Sequence, residues 1–253
     1  MDNSEKIKLQ KYFTDCGVLS RRAAEKEIAD KKVKVNGNVA QLGDRIDPTC
    51  DIVEYKGKIL RPQVEKKICV MLNKPAGFVT TMNDEHGRRN VSELVKDAKV
   101  RLYPIGRLDM NSDGLLLLTN DGDLANRLTH PKHEIPKIYQ VSVRGVVTDE
   151  AKRTLGSPLT IDGYKIRPVN VRQLSFNKSA NSTTLEFELY EGRNRQIRKM
   201  CQIAELTVIR LTRISYGELS LGTLRSGKWR YLNENEIGYL RGELRAPCKD
   251  PLT

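Results

Sequence analysis

Long apolar runs, glycine-rich loops and clustered metal ligands are what this chain lacks, and each absence excludes a class of function. No stretch approaches the roughly 20 apolar residues that a membrane-spanning helix needs. The opening MDNSEKIKLQKYF carries charges where a secretory signal has an apolar core, so a cytoplasmic chain is expected. Neither a P-loop nor a dinucleotide fingerprint can be placed after a strand, which argues against a nucleotide-binding fold of the doubly wound type. The five cysteines, Cys16, Cys50, Cys69, Cys201 and Cys248, are scattered and never two residues apart, so reduced thiols are expected and neither zinc nor a redox pair. Of the three histidines, His130 and His133 flank a proline in THPKH, where solvation is the ordinary outcome and no metal is expected.

Positive charge is plentiful. The chain has 44 Lys and Arg against 32 Asp and Glu in 253 residues, a formal net charge of +12 that points to a polyanion such as nucleic acid. The length allows one core of ordinary size with a small accessory domain. In the first sixty residues, Ile7, Leu9 and Phe13 support a short helix that Gly17 can end, and Ser20 can cap a second one carrying Ala23, Ala24 and Ile28. Val33 and Val35 then alternate with lysines ahead of Asn36-Gly37, a strong hairpin signal. Basic residues gather at Arg21, Arg22, Lys31 and Lys34, and a helix start with exposed arginines suits phosphate oxygens.

Residues 7 to 48, from IKLQKYF through LSRRAAEKEI and VKVNGNV to RIDP, resemble the alpha-L RNA-binding domain of the S-four type. The resemblance implies a domain over residues 1–62 that takes structured RNA. GKILRPQVEKK, residues 57–67, reads as a linker. From Ile68 the strand-like segments ICVMLNKP, YQVSVRG, TTLEFELYEG and VIRLTRISYG alternate with helical stretches such as NVSELVKDA, DGDLANRLT and NRQIRKMCQIAE. Together they predict an α+β domain on a mixed or antiparallel sheet over residues 66–245.

The stretch GRLDMNSDGLLLLTNDGD, residues 106–123, poses the main chemical question. Asp109, Asn111 and Asp113 before Gly114 mimic the start of a calcium loop. The twelfth position, however, is Asn120 where a bidentate glutamate is needed, and four consecutive leucines make a buried strand. Calcium is therefore excluded, and Asp113 and Asp121 are expected as turn residues. Asp109 stands several residues before the strand, on a connection that can open to a cleft.

This motif resembles the central motif of the pseudouridine synthases. The order of CVMLNKPAGFVTT, PKIYQVSV, EGRNRQIRKMC and LTRISYGELSLGTLRSGKWRYL around it resembles the branch that modifies ribosomal RNA through an attached S-four domain. Within that branch, DGDLANRLTHP and EGRNRQIRKM are most similar to the synthases of type B, which act on large-subunit RNA. The resemblance implies a cofactor-free and metal-free isomerase in which Asp109 is the catalytic carboxylate, as nucleophile or in proton removal. Arg198 is implied to hold Asp109 ionised through a two-point hydrogen bond. Tyr139 is implied to pack on a flipped uracil, with Leu211 on the opposite wall and Arg107 reaching into the RNA. Arg193, Arg195 and Lys199 lie in a basic segment, residues 193–213, whose only acid is Glu205, and are expected on phosphates. The expected partner is ribosomal RNA, large-subunit ahead of small-subunit, and the expected state is a monomer. The rival reading is a catalytically silent RNA-binding assembly factor.

Overall fold

The computed structural model describes residues 6–62 and 66–243, which leaves Cys248 and the expected domain end at 245 outside the described residues. The chain divides into two compact units, Met1–Lys66 and Lys67–Thr253.

In the first unit, β1 (Ile7–Lys8) leads into α1 (Leu9–Asp15) and then α2 (Arg21–Ala29). Short strands follow: β2 (Val33–Val35), β3 (Asn38–Val39), β4 (Arg45–Ile46), β5 (Val53–Tyr55) and β6 (Lys58–Ile59). Ser20 accepts a hydrogen bond from the Ala23 amide and starts α2 as a side-chain cap does. Asn36 and Gly37, both at positive φ, turn β2 into β3. Leu9, Phe13, Ala24, Ile28, Val33 and Val53 form the core. Two sequence expectations are corrected here. Ile7 belongs to a strand paired with Ile46 rather than to the first helix. The expected linker begins too early, because β6 pairs with β5 and Leu60 is buried, its carbonyl accepting a hydrogen bond from the Tyr12 hydroxyl at 3.1 Å.

The second unit is built on a nine-stranded sheet. Its strands are β7 (Cys69–Lys74), β8 (Tyr103–Ile105), β9 (Asp113–Thr119), β10 (Lys137–Arg144), β13 (Asn170–Asn177), β14 (Ser182–Leu189), β15 (Val208–Tyr216), β16 (Leu219–Ser220) and β17 (Trp229–Tyr231). A separate hairpin, β11 (Thr160–Ile161) with β12 (Tyr164–Lys165), stands outside it. The main order is β13-β14-β10-β15-β9-β7-β17, with β8 on β9 and β16 on β15. All pairs are antiparallel except β15 with β9, so the sheet is mixed. Helices α3 (Gly122–Thr129), α4 (Asp149–Gly156), α5 (Gln196–Ile203) and α6 (Glu234–Arg241) complete the unit. NVSELVKDA, expected as one helix, is instead two single 3-10 turns, Val91–Leu94 and Lys96–Ala98, with an Asn90/Glu93 capping box on the first. A segment this short, with β-branched Val91 and Val95, gains little from a continuous α-helix.

The four leucines are explained by two cores, one on each face of the sheet. Leu116 and Leu118 join Leu72, Val141 and Phe187 on one face, and Leu115 and Leu117 join Met71, Leu124 and Tyr216 on the other. A strand covered on both faces has no polar side, so alternation disappears from its sequence. Full burial of each leucine contributes about 2 kcal/mol. Asp121 caps α3 by accepting from the Asp123 and Leu124 amides.

Gly114 is where β9 meets β15. It holds φ +107, and a Cβ there would stand 2.2 Å from the Arg213 carbonyl oxygen. Gly114→Ala is therefore expected to cost about 3 kcal/mol, read as a lowered denaturation midpoint. An unchanged midpoint would show that the two strands can separate without loss.

Candidate active site

The connection from β8 to β9 carries the carboxylate of interest, and it is tied down on two sides. Leu108 is buried, and the Thr80 hydroxyl donates to its carbonyl at 2.6 Å while accepting from its amide at 3.2 Å. The Gly77 amide donates to the Met110 carbonyl at 2.8 Å, and the Ser112 amide to the Asp109 carbonyl at 3.0 Å. Beneath the loop the Lys74 ammonium, on a fully buried side chain at the end of β7, spends its three protons on carbonyls. It donates to Ser112 at 2.7 Å and to Pro75 and Asp109 at 3.1 Å each. Burial lowers the Lys74 pKa to about 8, while Asp113 and Asp109 act to raise it and Arg213 to lower it. With its backbone held this way, Asp109 turns a part-exposed side chain to a cleft.

That cleft, about 270 Å³, is lined by Arg107, Asp109, Tyr139, Arg198 and Leu211, together with Arg193 and Arg195. Residues from four separate segments of the chain therefore meet in one place. Tyr139 comes from β10 and Leu211 from β15. Cross-strand register pairs Tyr139 with Arg213 and Val141 with Leu211, so Tyr139 and Leu211 lie side by side on one sheet face. This corrects the expectation that Leu211 forms the wall opposite Tyr139: together they make a floor. Arg107 is exposed and makes no ion pair among the described residues, which leaves its guanidinium free. A second, larger cleft of about 500 Å³ shares Arg107, Asp109 and Asn194 and is walled by the Val79–Arg88 loop. There the Arg88 guanidinium pairs with Asp84 and holds its carboxyl down to about 2.

The expected fork between Arg198 and Asp109 is absent. Arg198 donates from Nη2 to the Asn111 carbonyl at 2.7 Å and approaches Ser112 Oγ at 3.5 Å, and its Nε is buried without a partner. Burial lowers the Arg198 pKa and neighbouring Arg195 adds to this, while Asp109 opposes both. The cation nearest the Asp109 carboxylate is Arg195, with Nη1 4.0 Å from Oδ2. The physical reason is local: Arg195 takes a left-handed φ of 53° where α5 begins, and Arg198 lies one turn further on, level with the loop backbone. Two other cations expected on phosphate are engaged inside the fold. Arg193 stacks its guanidinium on the Tyr164 ring, 3.1 Å from the centroid, and Lys199 bonds Asp162. In the first unit Arg21, Arg22, Lys31 and Lys34 are exposed and make no ion pair among the described residues, whereas Lys32 is held by Glu27 and Asp30.

Sequence reasoning did not single out Lys74 or Thr80, and it placed Arg213 only among the basic residues of the 193–213 segment expected on phosphates. A lysine closing an apolar run, as in CVMLNK, was the available signal for the first. Arg213 is 3% exposed, donates from Nε to the Leu115 carbonyl at 2.7 Å, and keeps Nη2 without a partner. No group of three or more His, Cys, Asp or Glu able to hold a metal is present among the described residues; His130 accepts from the Lys132 amide at 3.3 Å and meets His133 edge to face.

A carboxylate beside an aromatic and aliphatic floor, ringed by arginines, has the composition of a site that handles one nucleoside of a polyanion. Comparison with known proteins identifies the class. Residues 68–203 match the family model described as RNA pseudouridylate synthase. The ribosomal large subunit pseudouridine synthase B of Bacillus subtilis is 40% identical over 92% of this chain and 95% of its own length. The dual-specificity RNA pseudouridine synthase RluF of Shigella flexneri is 36% identical over 91% of the chain and 77% of its own. A crystal structure of a pseudouridylate synthase superposes with a TM-score of 0.65 at 27% identity, covering 92% of this chain and 99% of the other. The chain belongs to the RNA pseudouridine synthase family and is an isomerase acting on RNA.

Lys74→Met removes the side chain whose hydrogen bonds tie the Asp109 loop to β7, and is expected to lower turnover about 100-fold through misplacement of the carboxylate. The wild-type rate is expected to fall above about pH 8 as the Lys74 ammonium deprotonates. Stability moves the other way. Since the folded pKa lies below the unfolded value of 10.5, the unfolded chain binds more protons between them, and this group's contribution to stability rises with pH across that window. Single-turnover rates and denaturation midpoints from pH 7 to 10 test this; a flat rate profile, or a midpoint falling in step with the rate, would contradict it.

Proposed function

We propose that this chain converts a uridine of ribosomal RNA to pseudouridine, with large-subunit RNA as the target and Asp109 as the catalytic carboxylate. The observation that carries the proposal is the backbone-clamped Asp109 facing a nucleoside-sized cleft whose floor is Tyr139 and Leu211. The large-subunit assignment is supported by the relative from Bacillus subtilis and by the resemblance of the motifs around Asp109. Residues 1–62 act as the alpha-L domain that grips structured RNA and residues 66–245 as the catalytic domain, in a cytoplasmic monomer.

The reaction breaks the bond from ribose C1′ to uracil N1, turns the base, and rejoins it through C5. All atoms but one exchanged proton are conserved, so no co-substrate is consumed. The uridine leaves its stack to reach the cleft, and the Tyr139 face receives the unstacked ring. Arg107, unpaired at the mouth, takes the phosphate or the space that the base leaves. Asp109 acts on the ribose, with the Arg195 guanidinium 4.0 Å from its carboxylate. In the bound complex the Arg198 guanidinium, whose Nε has no partner in the free protein, supplies further charge beside it.

Asp109→Asn keeps the shape of the loop and removes the charge. Turnover, counted as pseudouridine in nuclease digests, is expected to fall by at least about 1,000-fold while RNA affinity stays within about threefold. Retained turnover would refute the role of Asp109, and lost affinity would favour the binding-factor reading. Arg21→Gln with Arg22→Gln is expected to reduce the salt slope of RNA binding by about 2, if both arginines hold phosphates. An unchanged slope would remove them from the RNA surface.

A further inference from the structure

Beside the cleft floor lie a buried arginine and a half-buried lysine with no carboxylate in ion-pair reach among the described residues. Arg213 faces Tyr139 across the strand pair, and its Nη1 donates toward the Tyr139 hydroxyl oxygen at 3.5 Å. Its Cζ lies 6.0 Å from the Tyr139 ring centroid and 5.6 Å from that of Tyr216. Lys137, two residues before Tyr139 on the same face, rests its Nζ 5.1 Å from the Tyr216 ring and donates to the Ile135 carbonyl at 2.8 Å. Neither Arg213 nor Lys137 is within 4.0 Å of a carboxylate among the described residues. The charged group that acts on Lys137 is Arg213 itself, and burial together with that repulsion lowers its pKa to about 8. Lys74 differs from these two, because Asp113 and Asp109 favour its charged form against burial and Arg213.

Buried charges without partners are strongly unfavourable, and proteins retain them where a complementary charge appears during function. We infer that the missing counter-ion is the uracil anion formed when the glycosidic bond breaks, and that Arg213, with Lys137, is a positioning residue that stabilises this anion through Tyr139. The inference rests on the isomerase reading above. When the N1–C1′ bond breaks, its electron pair stays with the base. C1′ either bonds an Asp109 oxygen or forms a double bond to C2′ as the C2′ proton passes to Asp109. On both routes the base is an anion while it turns, and it becomes neutral again when C5 bonds C1′, which displaces the Asp109 oxygen on the first route and returns the proton from Asp109 to C2′ on the second; the C5 proton then departs and N1 takes one up. Arg213 is absent from the cleft lining and so acts at one remove. A guanidinium cannot accept, so the Tyr139 hydroxyl bonded to it keeps its own proton to donate elsewhere. No hydrogen bond donated by that hydroxyl is present among the described residues. It is available to a uracil oxygen that gains charge, and the field of Arg213 and Lys137 strengthens such a bond where water is excluded.

The test compares ribosomal RNA transcribed with uridine and with 5-fluorouridine, whose fluorine withdraws charge and makes the base a better leaving group. On 5-fluorouridine C5 has no proton to lose, so the base joined through C5 keeps its fluorine and takes up water across C6 and N1. Single-turnover loss of either nucleoside is followed in nuclease digests for wild type, Arg213→Met, Arg213→Lys and Lys137→Met, with RNA affinity measured alongside. Arg213→Met is expected to slow uridine conversion about 30-fold with affinity unchanged, a defect that shrinks to about threefold on 5-fluorouridine. Arg213→Lys retains the charge and is expected to recover most of the rate. Lys137→Met, at a less buried position, is expected to show the same selective defect at smaller size, and it carries the test if Arg213→Met fails to fold. Equal defects on both RNAs would make the residues merely structural, and no defect would overturn the inference outright. A wild-type protein that leaves uridine unchanged would instead overturn the isomerase reading, which separates the two failures.

Discussion

One buried ammonium holds the site together. Lys74 ends a strand covered on both faces, and among the described residues its protons go to three carbonyls, two of which, Asp109 and Ser112, bracket the turn that carries the Asp109 carboxylate. Removing a lysine from water is unfavourable, and the three hydrogen bonds offset that loss only if the loop keeps one conformation. The rest of the architecture supplies the rigidity this requires. β7 is paired along its length with β9, β9 meets β15 at Gly114 with almost no space between backbones, and β15 and β10 carry the cleft floor. A shift of any of these strands would be felt at Asp109.

Charge is distributed in layers around this frame. At the mouth, Arg107 is exposed and makes no ion pair among the described residues. The N-terminal unit, taken by itself, also exposes Arg21, Arg22, Lys31 and Lys34, in keeping with a polyanionic partner. In the cleft, Arg195 and Arg198 flank a single carboxylate. Beside the floor stand Arg213 and Lys137, with no ion-pairing acid among the described residues. Cations further along the basic segment are spent on the fold itself, on Tyr164, Asp162 and Asp113. Counting basic residues in that segment therefore overstates how many are available to RNA.

Much of this was legible in the sequence. Leu115 to Leu118 read as a buried strand because no polar residue interrupts them, and Ser20 and Asn36-Gly37 announced a cap and a turn whose chemistry is local. Asp109, Tyr139 and Arg198 were nominated by motif order, and they do line one cleft. Their mutual geometry was not legible. Whether Arg198 meets a carboxylate or a carbonyl depends on the phase of α5, and whether Leu211 faces Tyr139 or adjoins it depends on strand register. Local residue types encode neither. The burial of Lys74 and of Arg213, the latter counted with the phosphate-facing basic residues, escaped for a similar reason: a lysine or arginine in a strand reads as solvent-facing until the sheet around it is assembled. The 57–60 segment, polar and glycine-containing, was indistinguishable from a linker until β5 supplied its partner.

Tritium release from ribosomal RNA labelled at uracil C5 reports the one bond change that defines the reaction, since the label leaves only when C5 takes the place of N1 on the ribose. With the purified protein the account predicts release equal to the pseudouridine formed, and none with Asp109→Asn. Absence of release from both proteins, on free RNA and on assembly intermediates alike, would contradict the account and leave a protein that binds RNA without altering it.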